Sequence, residues 1–135
     1  MADSDPVTVV KANSAAFSRM DVDAMMELYA PDALVVARRR VSMGTFRGHA
    51  ELRPYYLSIF HVASELYEDL HVLAAKDTIV VAACELRGRL ADAPVHVPDI
   101  VVPYGLLIEV RDGRIVHLEL HESGDDALAE SELDG

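Results

Sequence analysis

The sequence predicts an α+β domain whose N-terminal helices pack on one face of a mostly antiparallel sheet. Three observations lead to this fold class. In the first sixty residues, apolar side chains recur every three or four positions, as they do in amphipathic helices. After Glu65 the pattern changes to short segments rich in Val and Leu, which favour strands. Near the C-terminus, the pair Asp112-Gly113 separates two apolar segments and indicates a β-hairpin.

Two helices are predicted first. Asp5 followed by Pro6 indicates a helix start, because Asp can cap a helix and Pro suits its first position. One face of this helix is apolar and has Asn13 embedded in it; the face consists of Val9, Ala12, Asn13, Ala16, Phe17 and Met20. Asp21 marks a second start, and a short helix follows over residues 24–29 until Pro31 ends it.

A strand and a third helix follow. Residues 33–41 are rich in Val and Arg and predict a strand, with a turn at Met43-Gly44. The pattern then predicts a helix over residues 48–62. Pro54 falls inside it, so the helix either starts late, near Arg53, or is kinked.

The second half of the chain predicts strands. Residues 91–103 contain three prolines and predict an irregular excursion or an edge strand. Two hairpins flank this segment, with turns at Lys76-Asp77 and Asp112-Gly113. Their strands are residues 70–74, 78–86, 104–110 and 115–122.

Composition excludes several classes of function. The chain has 135 residues, 51% hydrophobic, and a formal net charge of −11, which predicts one acidic domain and makes nucleic acid an unexpected partner. Apolar runs are too short to span a membrane, and the acidic N-terminus lacks a signal-peptide pattern, so we expect a cytoplasmic protein. The single cysteine, Cys84, excludes an internal disulfide. We expect a core over residues 5–123 and a flexible acidic tail over 124–135.

Several stretches resemble the nuclear transport factor 2-like superfamily, in particular its SnoaL-like branch. The resemblance rests on residues 21–33 (DVDAMMELYAPDA), on Gly48 opening a helix after a strand, and on the hairpin of residues 107–120. It implies a cystatin-like cone: a curved sheet around a long helix, with a mostly apolar pocket and a homodimer through the outer sheet face. Members of the superfamily include polyketide cyclases, ketosteroid isomerases, limonene epoxide hydrolases, dehydratases and non-catalytic binding domains.

The catalytic positions of the isomerases can be compared with this chain. The position of their general base falls at Ala37, and that of their oxyanion tyrosine falls at Asn13. An alanine cannot move a proton, so the isomerase mechanism lacks its central residue here. Two accessory tyrosines match Tyr29 and Tyr56, either as hydrogen-bonding groups of the pocket or as packing residues.

Side chains on the last strand alternate between two faces. The resemblance places one set toward the pocket: Val116, Leu118, Leu120 and Glu122. The other set forms a polar stripe on the outer face: His117, Glu119 and His121. The stripe spans about 13 Å in an extended strand, too far for one metal ion, so we expect a dimer contact or a solvated face. Glu122 is either an acid or base at the pocket rim or an acid facing water.

Four other residues are candidates for a site. His96 and Asp99 can form a dyad if a turn lies between them, or they are ordinary loop residues. Arg39 faces the pocket if Ala37 does, where it would select an anionic substrate or stabilise an enolate; the alternative is that it faces outward. Cys84 is predicted to be a core residue, because no neighbouring base is evident.

The sequence therefore predicts a protein that binds a small hydrophobic ligand, with cofactor-free acid–base catalysis of a cyclase, isomerase or dehydratase type as an open possibility. The alternative is a non-catalytic ligand-binding or dimerisation module. No cofactor and no metal ion are expected, because no motif for either is present. The candidate catalytic residues are Tyr56, Glu122, Asn13, His96 and Asp99. The candidate ligand-binding residues are Phe17, Tyr29, Val35, Ala37, Arg39, Leu52, Phe60, Cys84, Leu118 and Leu120.

Overall fold

The computed structural model describes residues 5–39, 42–92 and 99–133. Four helices and six strands follow one another in these ranges. In chain order they are α1 (Pro6–Ser18), α2 (Val22–Leu28), β1 (Tyr29–Arg39), β2 (Ser42–Arg47), α3 (Gly48–Val62), β3 (Ala63–Lys76), β4 (Ile79–Leu90), β5 (Ile100–Arg111), β6 (Arg114–His121) and α4 (Gly124–Ser131). Within the described ranges, none of the helices has the length and apolar character needed to cross a bilayer.

The six strands form one sheet in the order β2-β1-β6-β5-β4-β3. Every neighbouring pair is antiparallel except β1 and β6, which are parallel. Irregularities in the register of β3 against β4 occur near residues 63–65 and 72–74, and bulges of this kind bend and twist a strand. Helices α1, α2 and α3 pack on the inner face of the sheet, so the predicted α+β architecture is confirmed.

The helix starts follow from local capping chemistry. The Asp5 carboxylate accepts a hydrogen bond from the Thr8 backbone N–H at 3.3 Å, directly before Pro6. The Asp21 carboxylate accepts one from the Ala24 N–H at 3.1 Å. Both caps satisfy backbone donors that have no partner inside the first turn.

Helix α3 begins at Gly48, not near Arg53, and continues past Pro54. Gly48 has a φ of 77°, and a Cβ there would lie 3.2 Å from the Pro31 backbone oxygen. The backbone thus requires glycine at the point where β2 meets the helix. The late start predicted from Pro54 is wrong.

Two strand boundaries differ from the sequence-based expectation. Met43-Gly44 is not a turn, because both residues lie in β2, where Gly44 pairs with Ala37 of β1. Residues 100–103 are not irregular and do not form an edge, because β5 lies between β4 and β6 and Pro103 pairs with Glu85. Residues 93–98, which include His96, lie outside the described part of the chain.

The expected flexible tail is instead helix α4. The Ser123 side chain accepts a hydrogen bond from the Asp126 N–H at 3.1 Å, and acids in the first turn interact favourably with the helix dipole. Ala127 is fully buried against Val81 and Leu107 on the outer face of the sheet. Helix α4 therefore covers part of the face on which the resemblance predicts a dimer contact.

Candidate functional site

A cavity of about 210 Å³ lies between the helices and the inner face of the sheet. An apolar cavity of about 150 Å³ is large enough for benzene, so this cavity can hold one substituted ring. Its wall is mostly apolar, with a few polar groups. The lining residues are Asn13, Phe17, Met25, Arg39, Tyr55, Tyr56, Ile59, Glu68, Leu86, Tyr104, Leu106, Leu118 and Leu120.

One polar group in the wall is a chain of three side chains. The hydroxyl oxygens of Tyr29 and Tyr56 lie 2.8 Å apart, and the Asn13 amide nitrogen donates to the Tyr29 hydroxyl at 3.5 Å. Burial raises the pKa of both tyrosines, with hydrogen bonds as a smaller influence. Both hydroxyls therefore stay neutral at physiological pH. Tyr56 lines the cavity, and Tyr29 contacts the site through the Tyr56 hydroxyl.

The second polar group is the pair Glu68 and Tyr104. The Tyr104 hydroxyl donates to Glu68 Oε2, and Ser14 of α1 also hydrogen-bonds the carboxyl group. The backbone N–H of Glu68 donates to Ser18 Oγ at 3.0 Å, which fixes β3 against α1 at this point. Burial raises the pKa of Glu68, and the two side-chain hydrogen bonds oppose the shift without cancelling it. The carboxyl can therefore hold a proton closer to neutral pH than an exposed carboxyl can.

Among the wall residues that the structure describes, Arg39 is the one cation. Its guanidinium carbon lies 5.7 Å from the centroid of the Tyr104 ring, within the range of a cation–π contact. Tyr104 thus presents its ring to Arg39 and its hydroxyl to Glu68. Among the described residues, Arg39 Nε and Asn13 Oδ1 are buried atoms without a hydrogen-bond partner.

The sequence of the chain also shows the family to which it belongs. A family model for the SnoaL-like domain matches residues 10–118. The chain belongs to the SnoaL-like domain family. No curated protein matches the sequence significantly.

Solved structures similar to this SnoaL-like domain share its fold. One is a hypothetical protein with a ketosteroid isomerase-like fold from Catenulispora acidiphila DSM 44928, in complex with trimethylamine; the identity is 21%, the TM-score 0.72, and the match covers 93% of this chain and 92% of that one. A candidate polyketide cyclase from Xanthomonas campestris pv. campestris has 23% identity and a TM-score of 0.69, covering 92% and 94%. An uncharacterised cystatin-fold protein from Novosphingobium aromaticivorans has 17% identity and a TM-score of 0.69, covering 85% and 96%. At these identities the likeness establishes the fold alone.

The structure brings six of the predicted site residues of the SnoaL-like domain together in the cavity wall. They are Asn13, Phe17, Arg39, Tyr56, Leu118 and Leu120. Five others are buried in the core without lining the cavity: Val35, Ala37, Leu52, Phe60 and Cys84. Burial also raises the pKa of the Cys84 thiol, as expected for a core residue rather than a nucleophile.

Two predicted residues, Glu122 and Asp99, do not line the cavity, and a third, His96, lies outside the described residues. Strand β6 ends at His121, so Glu122 is exposed on the connection that leads to the Ser123 cap of α4. Asp99 is exposed and forms an ion pair with Arg89 at 2.8 Å. His96 lies outside the described residues, and the predicted dyad therefore has no described geometry.

Glu68, the carboxyl group of the site, is not among the residues predicted from the sequence. The predicted strand starts at Leu70, whereas β3 begins at Ala63. The alternating residues Leu66, Leu70 and Val72 all pack against the inner core, and Glu68 belongs to the same alternation. An acid at an inward position of an apolar alternation is the signal that could have identified it. The other residues of the wall that were missed are Met25, Tyr55, Ile59, Leu86, Tyr104 and Leu106.

A separate polar cluster lies on the outer face. The Glu119 carboxylate binds His117 Nε2 at 2.8 Å, His121 Nε2 at 2.9 Å and Arg38 Nε at 3.4 Å. Burial alone would raise the pKa of Glu119, but these hydrogen bonds and the charge of Arg38 outweigh it, and the pKa is lowered. Both histidines therefore contact a carboxylate.

Proposed function

We propose that this SnoaL-like domain binds one small, largely apolar ligand in the cavity and transfers a proton on it with Glu68, without a cofactor. The observation that carries the proposal is the position of the Glu68 carboxyl in a mostly apolar wall, hydrogen-bonded to Tyr104. Perturbed carboxyl groups in clefts are typical of catalytic acids and bases. The names of the similar structures, which include a candidate polyketide cyclase, support the same class of chemistry.

The proposed chemistry is proton abstraction next to a carbonyl group. The ionised Glu68 removes a proton from the carbon, and the electron pair of the broken C–H bond moves onto the carbonyl oxygen to give an enolate. The Tyr56 hydroxyl or the Arg39 guanidinium stabilises the negative oxygen. In a β,γ-unsaturated ketone, the protonated Glu68 returns the proton to the γ-carbon of the dienolate, the double bond shifts into conjugation, and the isomerisation is complete. In a ligand with a second carbonyl group, the enolate carbon attacks that carbonyl, a C–C bond closes the ring, and the new alkoxide oxygen takes the proton back from Glu68.

Tyr104 is a positioning residue in this scheme. Its hydroxyl donates to Glu68 and so fixes the carboxyl, while its neutral state is secured by burial and by the neighbouring negative charge of Glu68. Ser14 holds the carboxyl from the side of α1. A carboxyl fixed by two donors keeps one orientation toward the cavity, which proton transfer requires.

Deuterium exchange of phenylacetone in D₂O tests the proposal, because this one-ring ketone fits the volume and has acidic hydrogens next to its carbonyl. We expect the protein to accelerate loss of these proton signals, and Glu68→Gln to reduce the acceleration by about 10²-fold or more. Binding itself is followed by the change in Tm or by ligand line widths. Glu27→Gln, at an exposed position on α2, is the matched control and should exchange like the wild type.

The experiment separates the two function classes. Binding of the ketone without accelerated exchange would favour the non-catalytic binding module over the catalyst. Equal exchange in the wild type and in Glu68→Gln would remove Glu68 from the mechanism. Absence of binding to any one-ring ketone would contradict the proposed ligand class.

A further inference from the structure

Two residues of the cavity wall, Arg39 and Asn13, indicate what the ligand must offer. Arg39 Nε is a hydrogen-bond donor and Asn13 Oδ1 is an acceptor, and among the described residues both are buried without a partner. A buried polar atom without a partner costs free energy that a matching ligand atom restores. The two atoms belong to different elements, β1 and α1, so a ligand that engages both must offer an acceptor to Arg39 and a donor to Asn13.

Arg39 offers the ligand a positive charge. No carboxylate of the described residues lies within 4.0 Å of its guanidinium, whereas the adjacent Arg38 is paired with Glu119 at 3.4 Å. The contact with the Tyr104 ring holds the guanidinium at the wall without neutralising it. A guanidinium presents a planar set of donors that suits a carboxylate or an enolate oxygen.

Asn13 offers the ligand a hydrogen-bond acceptor. Only 7% of Asn13 is exposed, and its amide nitrogen already donates to the Tyr29 hydroxyl. The remaining amide oxygen can only accept, so its partner must be a hydroxyl or an N–H group. A ligand that lacks this donor leaves the oxygen unpaired.

We infer that the ligand is a one-ring compound with a hydroxyl group for Asn13 and an anionic oxygen, as in a carboxylate or an acidic enol, for Arg39. The inference rests on the proposed function, because it takes the cavity as the ligand site. The volume of about 210 Å³ limits the ligand to one ring with short substituents.

Three matched probes test the hydroxyl group and the anionic group of the ligand separately. They are 4-hydroxyphenylacetate, phenylacetate, which lacks the hydroxyl, and 4-hydroxyphenylethanol, which lacks the charge. Affinities are measured by calorimetry, and shifts of the backbone amide signals of Tyr56 and Leu118 locate the bound probe in the cavity. We expect 4-hydroxyphenylacetate to bind about 10-fold or more tightly than either partial probe, as is typical of hydrogen bonds to buried and charged groups.

Two variants test whether Arg39 binds the carboxylate of the probe and Asn13 binds its hydroxyl group. Arg39→Gln should remove the preference for the carboxylate and leave the affinity for 4-hydroxyphenylethanol within about 2-fold. Asn13→Leu should remove the preference for the hydroxyl and leave phenylacetate binding. Arg38→Gln is the matched control, because its guanidinium is on the outer face and pairs with Glu119; we expect the wild-type order of affinities.

The outcomes separate the inference from the proposed function. If all three probes bind the cavity with equal affinity, the inference is overturned and the cavity remains a site for apolar ligands. A charge preference that Arg39→Gln retains would also overturn it. If neither the three probes nor phenylacetone binds, the proposed function itself fails.

Discussion

Among the described glycines whose added Cβ would meet other atoms, Gly105 is the one at which it would make the shortest contacts. A Cβ at this position would lie 2.0 Å from the Ser123 backbone oxygen, 2.4 Å from its carbonyl carbon and 2.8 Å from the Gly124 nitrogen. All three atoms belong to the backbone that leads into α4 and cannot rotate away. In Gly105→Ala, the Ser123 oxygen must move by about 1 Å to reach even the shortest contact, about 3 Å, that Cβ atoms normally make.

The displacement also affects α4. Moving Ser123 shifts the cap of the helix and lifts the fully buried Ala127 away from Val81 and Leu107. Overpacking of a core costs about 1–3 kcal/mol, and loss of the cap adds about 1 kcal/mol, so we expect a loss of about 3 kcal/mol. At about 2.1 cal/mol/K per residue, 135 residues have an unfolding entropy of about 0.28 kcal/mol/K, and Tm should fall by about 10 °C.

The assay is chemical denaturation combined with hydrogen exchange of the amides in α4. Gly44→Ala is the control, because the new Cβ would meet only the end of the Phe46 ring, at 3.1 Å, and this side chain can adjust. It should change the free energy of unfolding by less than about 1 kcal/mol. If Gly105→Ala unfolds like the control and the amides of Ala127 and Leu128 stay protected, the close crossing at Gly105 is refuted.

Four further predictions follow from the site and the outer face. Tyr29→Phe should lower the free energy of unfolding by about 1–3 kcal/mol, because Tyr56 loses a buried partner, and urea denaturation measures this. Since the folded pKa of Glu68 is raised, its stabilising contribution is present at low pH and is lost as pH rises through that value; Glu68→Gln should therefore be more stable than the wild type at pH 8, with the difference disappearing below about pH 4. The folded pKa of Glu119 is lowered, so its contribution is present above about pH 4.3 and is lost as pH falls further; the urea midpoint of Glu119→Gln should vary less with pH in that window. The dimer predicted from the resemblance is checked by light scattering, where a species of 14.8 kDa would contradict it.

Local chemistry explains which elements the sequence predicts well. Asp5-Pro6 and Asp21 determine helix starts through contacts within three residues, and Asp112-Gly113 sets a turn by its own backbone preference, with φ values of 53° and 76°. Helix α4, by contrast, is not determined by local contacts alone. It is only 8 residues long, too short to be stable alone, and depends on the burial of Ala127 against a sheet formed by distant segments. In the sequence alone, without the sheet on which this helix packs, its many acids therefore suggest a solvated tail.

The site residues also differ in whether local sequence or distant segments determine their positions. Alternation along β6 predicts that Leu118 and Leu120 face the cavity, because the pattern is local and the strand is correctly bounded. Glu68 is missed because its direction depends on where β3 begins, and the boundary in turn depends on pairing with β4. Of the two alternatives for Glu122, the structure has the acid that faces water, because the chain leaves the sheet one residue earlier to reach the Ser123 cap.

The curvature of the sheet decides whether Arg39 and Glu68 can act on one ligand. Arg39 ends β1 and Glu68 lies on β3, and four strand spacings separate these strands in the sheet order. In a flat sheet that separation would be about 19 Å, too long for a one-ring ligand. Tyr104, on the intervening β5, nevertheless contacts the guanidinium with its ring and the carboxyl with its hydroxyl. In the proposed reaction, a ligand beside Tyr104 has its anionic oxygen toward Arg39 on β1 and its reactive carbon toward Glu68 on β3. The residue on β1 at which the resemblance places the base of the isomerases is the buried Ala37.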